Sequence, residues 1–73
     1  MKALNSIKIN GSIIKLGDVV EFKCDIEQCG TVKKIIRRSY GYDLVVTDEF
    51  GFSGDYIGGQ TEATIAADEA WSL

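Results

Sequence analysis

Glycine supplies all of the punctuation in this chain, which has eight glycines and no proline, and it cuts the sequence into pieces suited to short strands. Helical periodicity is nearly absent between the glycines, and period-two alternation takes its place. In Val19 to Cys24 the apolar Val20, Phe22 and Cys24 alternate with Glu21 and Lys23, as in a strand with one buried face. Ile7 to Ile9 and Ile13 to Leu16 flank Asn10-Gly11, a pair that supplies the positive φ angles of a two-residue type I′ turn. Gly17-Asp18 marks the next turn, and Asp25 to Gly30 reads as a loop. Thr31 to Arg38 and Tyr42 to Asp48 are β-rich runs on either side of Tyr40-Gly41, a second tight hairpin. Glu49 to Gly59 is too rich in glycine to be regular over its length. Gln60 to Ala66 returns to alternation, with a single helical turn at Ala67 to Ala70 before Trp71 and Leu73 close the sheet. The expectation is one compact domain, residues 1–73, all-β and mainly antiparallel. It should form a small SH3-like barrel or a curled sheet of about five or six short strands, with one helical turn near the C-terminus.

A turn at Tyr40-Gly41 sets a register for the hairpin it closes. Arg38 then faces Asp43, Ile36 faces Val45, Lys34 faces Thr47 and Val32 faces Glu49 on one side. The other side carries Lys33, Ile35, Arg37, Tyr42, Leu44 and Val46, with Lys33 opposite Asp48. Adjacent apolar residues on a strand point to opposite faces, so the Ile35-Ile36 and Leu44-Val45-Val46 runs make both faces apolar. The richer side, with Ile35, Tyr42, Leu44 and Val46, is the expected core. Val32, Ile36 and Val45, rimmed by Lys34, Arg38, Asp43 and Glu49, are then either a partner-docking patch or a face covered by a strand at Ile13 to Leu16.

Chemistry finds little to work with. The chain has no histidine, which removes the Ser-His-Asp and Cys-His routes to an activated nucleophile. Asp48-Glu49 and Asp68-Glu69 are adjacent pairs near turns, whereas acid/base hydrolysis needs two carboxyls across a cleft in different environments. The glycine loop has no GxxxxGK[ST] pattern. The chain reads as a non-enzyme without a cofactor. Cys24 and Cys29 are its only cysteines, and a zinc site would need Asp25, Glu27 or a second chain to complete it, so no metal is expected. The two thiols could flank a short loop at disulfide distance, but a reducing compartment favours the free form. Lys8, Asn10 and Lys15 interrupt the apolar stretches near the start, leaving neither a signal-peptide core nor a membrane span, and the expected location is the cytoplasm.

Binding is the remaining class. A net charge of −3 argues against wrapping nucleic-acid phosphates as the main task. Lys33, Lys34, Arg37 and Arg38, with Tyr40 and Tyr42 beside them, could still grip a single strand through phosphate contacts and base stacking. Alternation along the strand divides these cations between faces, and Asp43 and Asp48 offer partners to Arg38 and Lys33, so no one-sided basic stripe is expected. Phe50, Phe52 and Tyr56 are either loop anchors for a partner or core, and so small a core should claim at least one phenylalanine. The favoured reading is a protein-docking surface of Val32, Lys34, Ile36, Arg38 and Val45.

Gly17-Asp18-Val19-Val20-Glu21-Phe22 followed by Gly30-Thr31-Val32 resembles the opening of SH3-like, Tudor and KOW modules. In those a Gly-Asp turn leads into the first strand and Gly-x-Val enters the second. The extra N-terminal hairpin, the long glycine loop and the lack of proline depart from that pattern. This resemblance implies a nucleic-acid-binding SH3-like or KOW module as the alternative function. In length and overall look, the whole chain resembles the small RNA-polymerase-binding transcription regulators of lytic Xanthomonas phages. That resemblance implies a non-enzymatic protein of the host bacterial cytoplasm that contacts the N-terminal region of the polymerase β′ subunit. It further implies inhibition of host promoter initiation and antitermination. No motif carries a residue role across, and a monomer is the default expectation.

Overall fold

A computed structural model describes residues 4–9, 11–24, 26–39 and 41–72. Seven strands run in the order β1 (Ser6–Ile9), β2 (Ser12–Lys15), β3 (Val19–Cys24), β4 (Ile26–Arg38), β5 (Gly41–Thr47), β6 (Glu62–Ala66) and β7 (Ala70–Ser72), with a 3₁₀ turn at Ala67–Glu69 before the last. Strands β3 to β7 form one antiparallel sheet in the order β6-β5-β4-β3-β7, and β1 and β2 pair separately. The expected all-β, antiparallel architecture is therefore present. Among the described residues the end strands β6 and β7 are not paired with each other, so the barrel is not closed.

Local chemistry explains the turns. Ile9 pairs with Ser12 across a two-residue connection whose second residue, Gly11, has φ +80°, a value costly for a side-chain-bearing residue. Asn10 lies outside the described residues. At the next turn the Lys15 amide donates to the Asp18 carboxylate at 2.9 Å, a side-chain to backbone contact that makes aspartate useful there. The Gly17 amide donates to the Val32 carbonyl and the Val32 amide to the Asp18 carbonyl, both at 2.8 Å, which ties the turn to β4.

β4 organises the molecule. Its thirteen residues pair with β3 along the first half and with β5 along the second, and Thr31 has partners on both sides. The segment expected to be a loop at Asp25 to Gly30 is instead strand from Ile26 onward, in a tight hairpin with β3. Gly30 is not a turn residue. It sits buried where a Cβ would lie 2.9 Å from Val46 Cβ and 3.2 Å from the Phe52 ring, so the absence of a side chain lets β5 and the long loop close over β4.

The core lies on one face of this sheet. Val20, Phe22, Val32, Ile35, Leu44 and Val46 are its large members, joined by Ala63, Ala67 and Ala70. Ile7 and Ile14 face each other across the N-terminal hairpin and close one side of the same cluster. That hairpin therefore covers the Ile35 and Leu44 face, and not the face of Ile36 and Val45 proposed from sequence. Phe52 closes another side, its ring edge-on to Phe22 with centroids 5.7 Å apart. The loop from 48 to 61 is more ordered than its glycines suggest. The Asp48 amide donates to the Thr61 carbonyl at 3.0 Å, the Phe52 amide to the Gln60 carbonyl at 2.8 Å, and the Gly59 amide to the Phe52 carbonyl at 2.8 Å. The Gln28 side-chain amide then grips Ser53, donating to its carbonyl at 3.0 Å and accepting from its amide at 2.9 Å.

Candidate protein-docking face

The β4-β5 hairpin decides which of the expected site residues can meet a partner. Arg38 pairs with Gly41, Ile36 with Asp43 and Lys34 with Val45, so Gly41, expected in the turn, is the first residue of β5. This register is two residues away from the expected one, a shift that keeps every residue on its assigned face because the side-chain period is two. A bulge between Val32 and Lys34 then breaks the alternation, and Val32 pairs with Val46. Val32 thereby joins the core at 1% exposure and is lost from the docking surface proposed from sequence. Of the rest, Val45 is 7% exposed, Ile36 is half-buried, and Lys34 and Arg38 are exposed. The Arg38 Nε donates to the Asp43 Oδ2 at 2.9 Å, so the expected ion pair forms, diagonally instead of directly across the hairpin. These residues make a largely packed face with little apolar area to offer.

The same bulge changes the charge pattern. Lys33 lies 2.9 Å from Glu62 on β6, where Asp48 was the expected partner. Glu62 aligns with Thr47 in the row next to Val45 and Thr64, so Lys33 joins Lys34 and Arg38 on the outer side, and Arg37 alone shares the Tyr42 side. The expected even division of cations does not occur. Two of the three outer cations are engaged by carboxylates, which weakens the footprint needed to track a phosphate backbone. Tyr42 is half-buried against the core, an unsuitable setting for base stacking, and Tyr40 lies outside the described residues.

Exposed apolar groups collect elsewhere. Phe50 is 91% exposed and Tyr56 77% exposed on the long loop, whereas Phe52 is core. An open groove of about 410 Å³ runs beside Phe50, lined by Val19, Cys29, Thr31, Asp48 and Glu49 among others. Val19 is 44% exposed and aligned with Thr31, which in turn aligns with Thr47. The next row holds Trp71, Glu21 and Cys29, with the Trp71 indole N–H donating to the Glu21 carboxylate at 2.9 Å. The outer surface of β7, β3 and β4 therefore carries Trp71, Val19 and the exposed Cys29 thiol, and it leads into the groove. The Asp48 carboxylate accepts from the Phe50 amide at 2.9 Å, an Asx turn that fixes how the phenylalanine leaves the sheet. Sequence reasoning named Phe50 but not the groove, because Val19 and Phe50 are far apart in the chain and are joined only by the two pairings of β4.

Cys24 and Cys29 are both free. Glu21 pairs with Cys29, while Cys24 is three residues further along β3, so the two thiols stand on opposite faces of the hairpin and cannot bridge each other. Among the described residues no three of His, Cys, Asp and Glu come together to hold a metal ion, and no helix is long and apolar enough to cross a membrane. Comparison of the chain with protein families, with curated proteins and with solved structures finds no match in any of the three.

Proposed function

We propose that the protein is a non-enzymatic, phage-type regulator that binds bacterial RNA polymerase, inhibiting initiation at host promoters and promoting antitermination. The observation that carries the binding half of this reading is the exposure of Phe50 and Val19 around an open groove, with Trp71 on the adjoining sheet surface. A chain of 73 residues needs most of its large apolar side chains inside. Leaving an aromatic ring in water beside a hydrogen-bonded sheet is understandable when another protein covers it. The polymerase half is supported by the resemblance of the chain, in length and overall look, to the polymerase-binding regulators of lytic phages. The N-terminal region of the β′ subunit is the contact this resemblance favours.

Transcription in vitro with purified bacterial polymerase tests the reading. Added protein should reduce transcripts from a strong host promoter and raise read-through of an intrinsic terminator. Unchanged initiation and unchanged termination at saturating protein contradict it. The alternative, an SH3-like or KOW nucleic-acid module using Lys33, Lys34, Arg37, Arg38, Tyr40 and Tyr42, predicts oligonucleotide affinity that falls steeply with salt.

A further inference from the structure

We infer that the groove beside Phe50 is a docking site for a positively charged segment of a protein partner, one that places an aliphatic or aromatic side chain among its lysines or arginines. The inference rests on the reading of the protein as a binding module, and not on polymerase being the partner. Phe50 and Val19 supply the apolar part of the site, at 91% and 44% exposure. Asp48 and Glu49 supply its charge, and both line the groove. Glu21 and Glu27 extend the acidic character along the same face of the β3-β4 hairpin, where Lys23 is the cation aligned with Glu27. Lys33, on the strand beside the groove, pairs with Glu62 at 2.9 Å. An apolar centre with an acidic rim is complementary to a basic segment, and it repels the phosphates of a nucleic acid.

The Asx turn at Asp48 gives the site a fixed geometry. One carboxylate oxygen accepts from the Phe50 amide at 2.9 Å, and the Gly51 amide donates to the Asp48 carbonyl at 3.1 Å. Phe50 is thus presented from a closed turn at the end of β5. Two residues on, Phe52 is anchored in the core, so the aromatic ring outside and the one inside are held by the same short segment. A preorganised anchor of this kind loses less freedom on binding than a ring on a loose loop.

The test is a series of amide correlation spectra of the full chain, titrated with a synthetic peptide of alternating lysine and leucine. The glutamate-leucine counterpart and a short single-stranded oligonucleotide serve as comparisons. The lysine-leucine peptide should shift the amides of Val19, Thr31, Thr47, Glu49 and Phe50, and the two comparisons should not. Glu49→Lys and Phe50→Ser, both on the surface and expected to stay folded, should each weaken the peptide by at least about tenfold. Shifts centred elsewhere, equal binding of the glutamate-leucine peptide, or binding of the oligonucleotide at these amides overturns the inference. Undiminished peptide binding by both variants, in a protein whose wild type retains purified polymerase, overturns the groove and leaves the polymerase reading standing. Groove shifts without polymerase binding do the reverse.

Discussion

Gly30 shows how much a single position can decide. It reads in the sequence as punctuation, yet the chain continues through it as strand, and its value is the space it leaves for Val46 and Phe52. Gly30→Ala would place a methyl group 2.9 Å from Val46 Cβ, within a packed core that cannot yield freely. The expected cost is about 1–3 kcal/mol, measured as a lower urea midpoint with an unchanged slope. Gly11→Ala tests a different property, since nothing crowds a Cβ there and only the positive φ opposes it, so its expected cost is smaller, about 1 kcal/mol. The cysteines give a second prediction at this scale. Mild oxidation should produce a disulfide-linked dimer through the exposed Cys29 and no internal bridge, as read on a non-reducing gel, and Cys29→Ser should abolish the dimer. An internal Cys24–Cys29 bridge in folded protein would contradict the opposite-face assignment.

Elements were legible in the sequence wherever the two-residue period ran unbroken. β3 matches the Val19 to Cys24 alternation residue for residue, Ile9 pairs with Ser12 around Gly11 at the expected N-terminal hairpin, and the late helical turn stands where Ala67 begins. The hairpin faces were also legible, since Ile35, Leu44 and Val46 are buried as expected. The face assignment failed at Val32 and Lys33, because a bulge adds a residue to one strand and reverses the faces on its N-terminal side while Lys34 to Arg38 keep theirs, and Lys33 carries no side-chain signal for it. The site was obscured for a related reason. β4 uses its two edges for two partners, and that sharing, which brings Val19 beside Phe50, is a tertiary property. The long loop belongs at this scale too, as it is held by Phe52 inside and by Gln28 on Ser53 outside. Phe52→Ala should cost about 3–5 kcal/mol, enough in so small a domain to lose most of its unfolding cooperativity. Gln28→Ala should cost about 1 kcal/mol, and amide exchange should speed up in residues 50–60 more than in β5. Equal acceleration in β5 would mean that the clamp is not local to the loop.

Among the described residues a five-stranded sheet and an N-terminal hairpin enclose the core, and the outer surface is divided in character. One region is packed and carries the pairs Lys33–Glu62 and Arg38–Asp43, and the other is apolar, acidic and open around Phe50. That division favours Val19 and Phe50 over Ile36 and Val45 for the proposed docking surface, and it ties the proposed regulation of transcription to physical contact with a partner. The most direct test is equilibrium binding of the labelled full chain to purified bacterial RNA polymerase, with wild type and Phe50→Ser compared in parallel. The wild type should bind saturably, and the variant should show a Kd raised by about tenfold or more. No saturable binding by the wild type, or equal affinity for the two proteins, would contradict it.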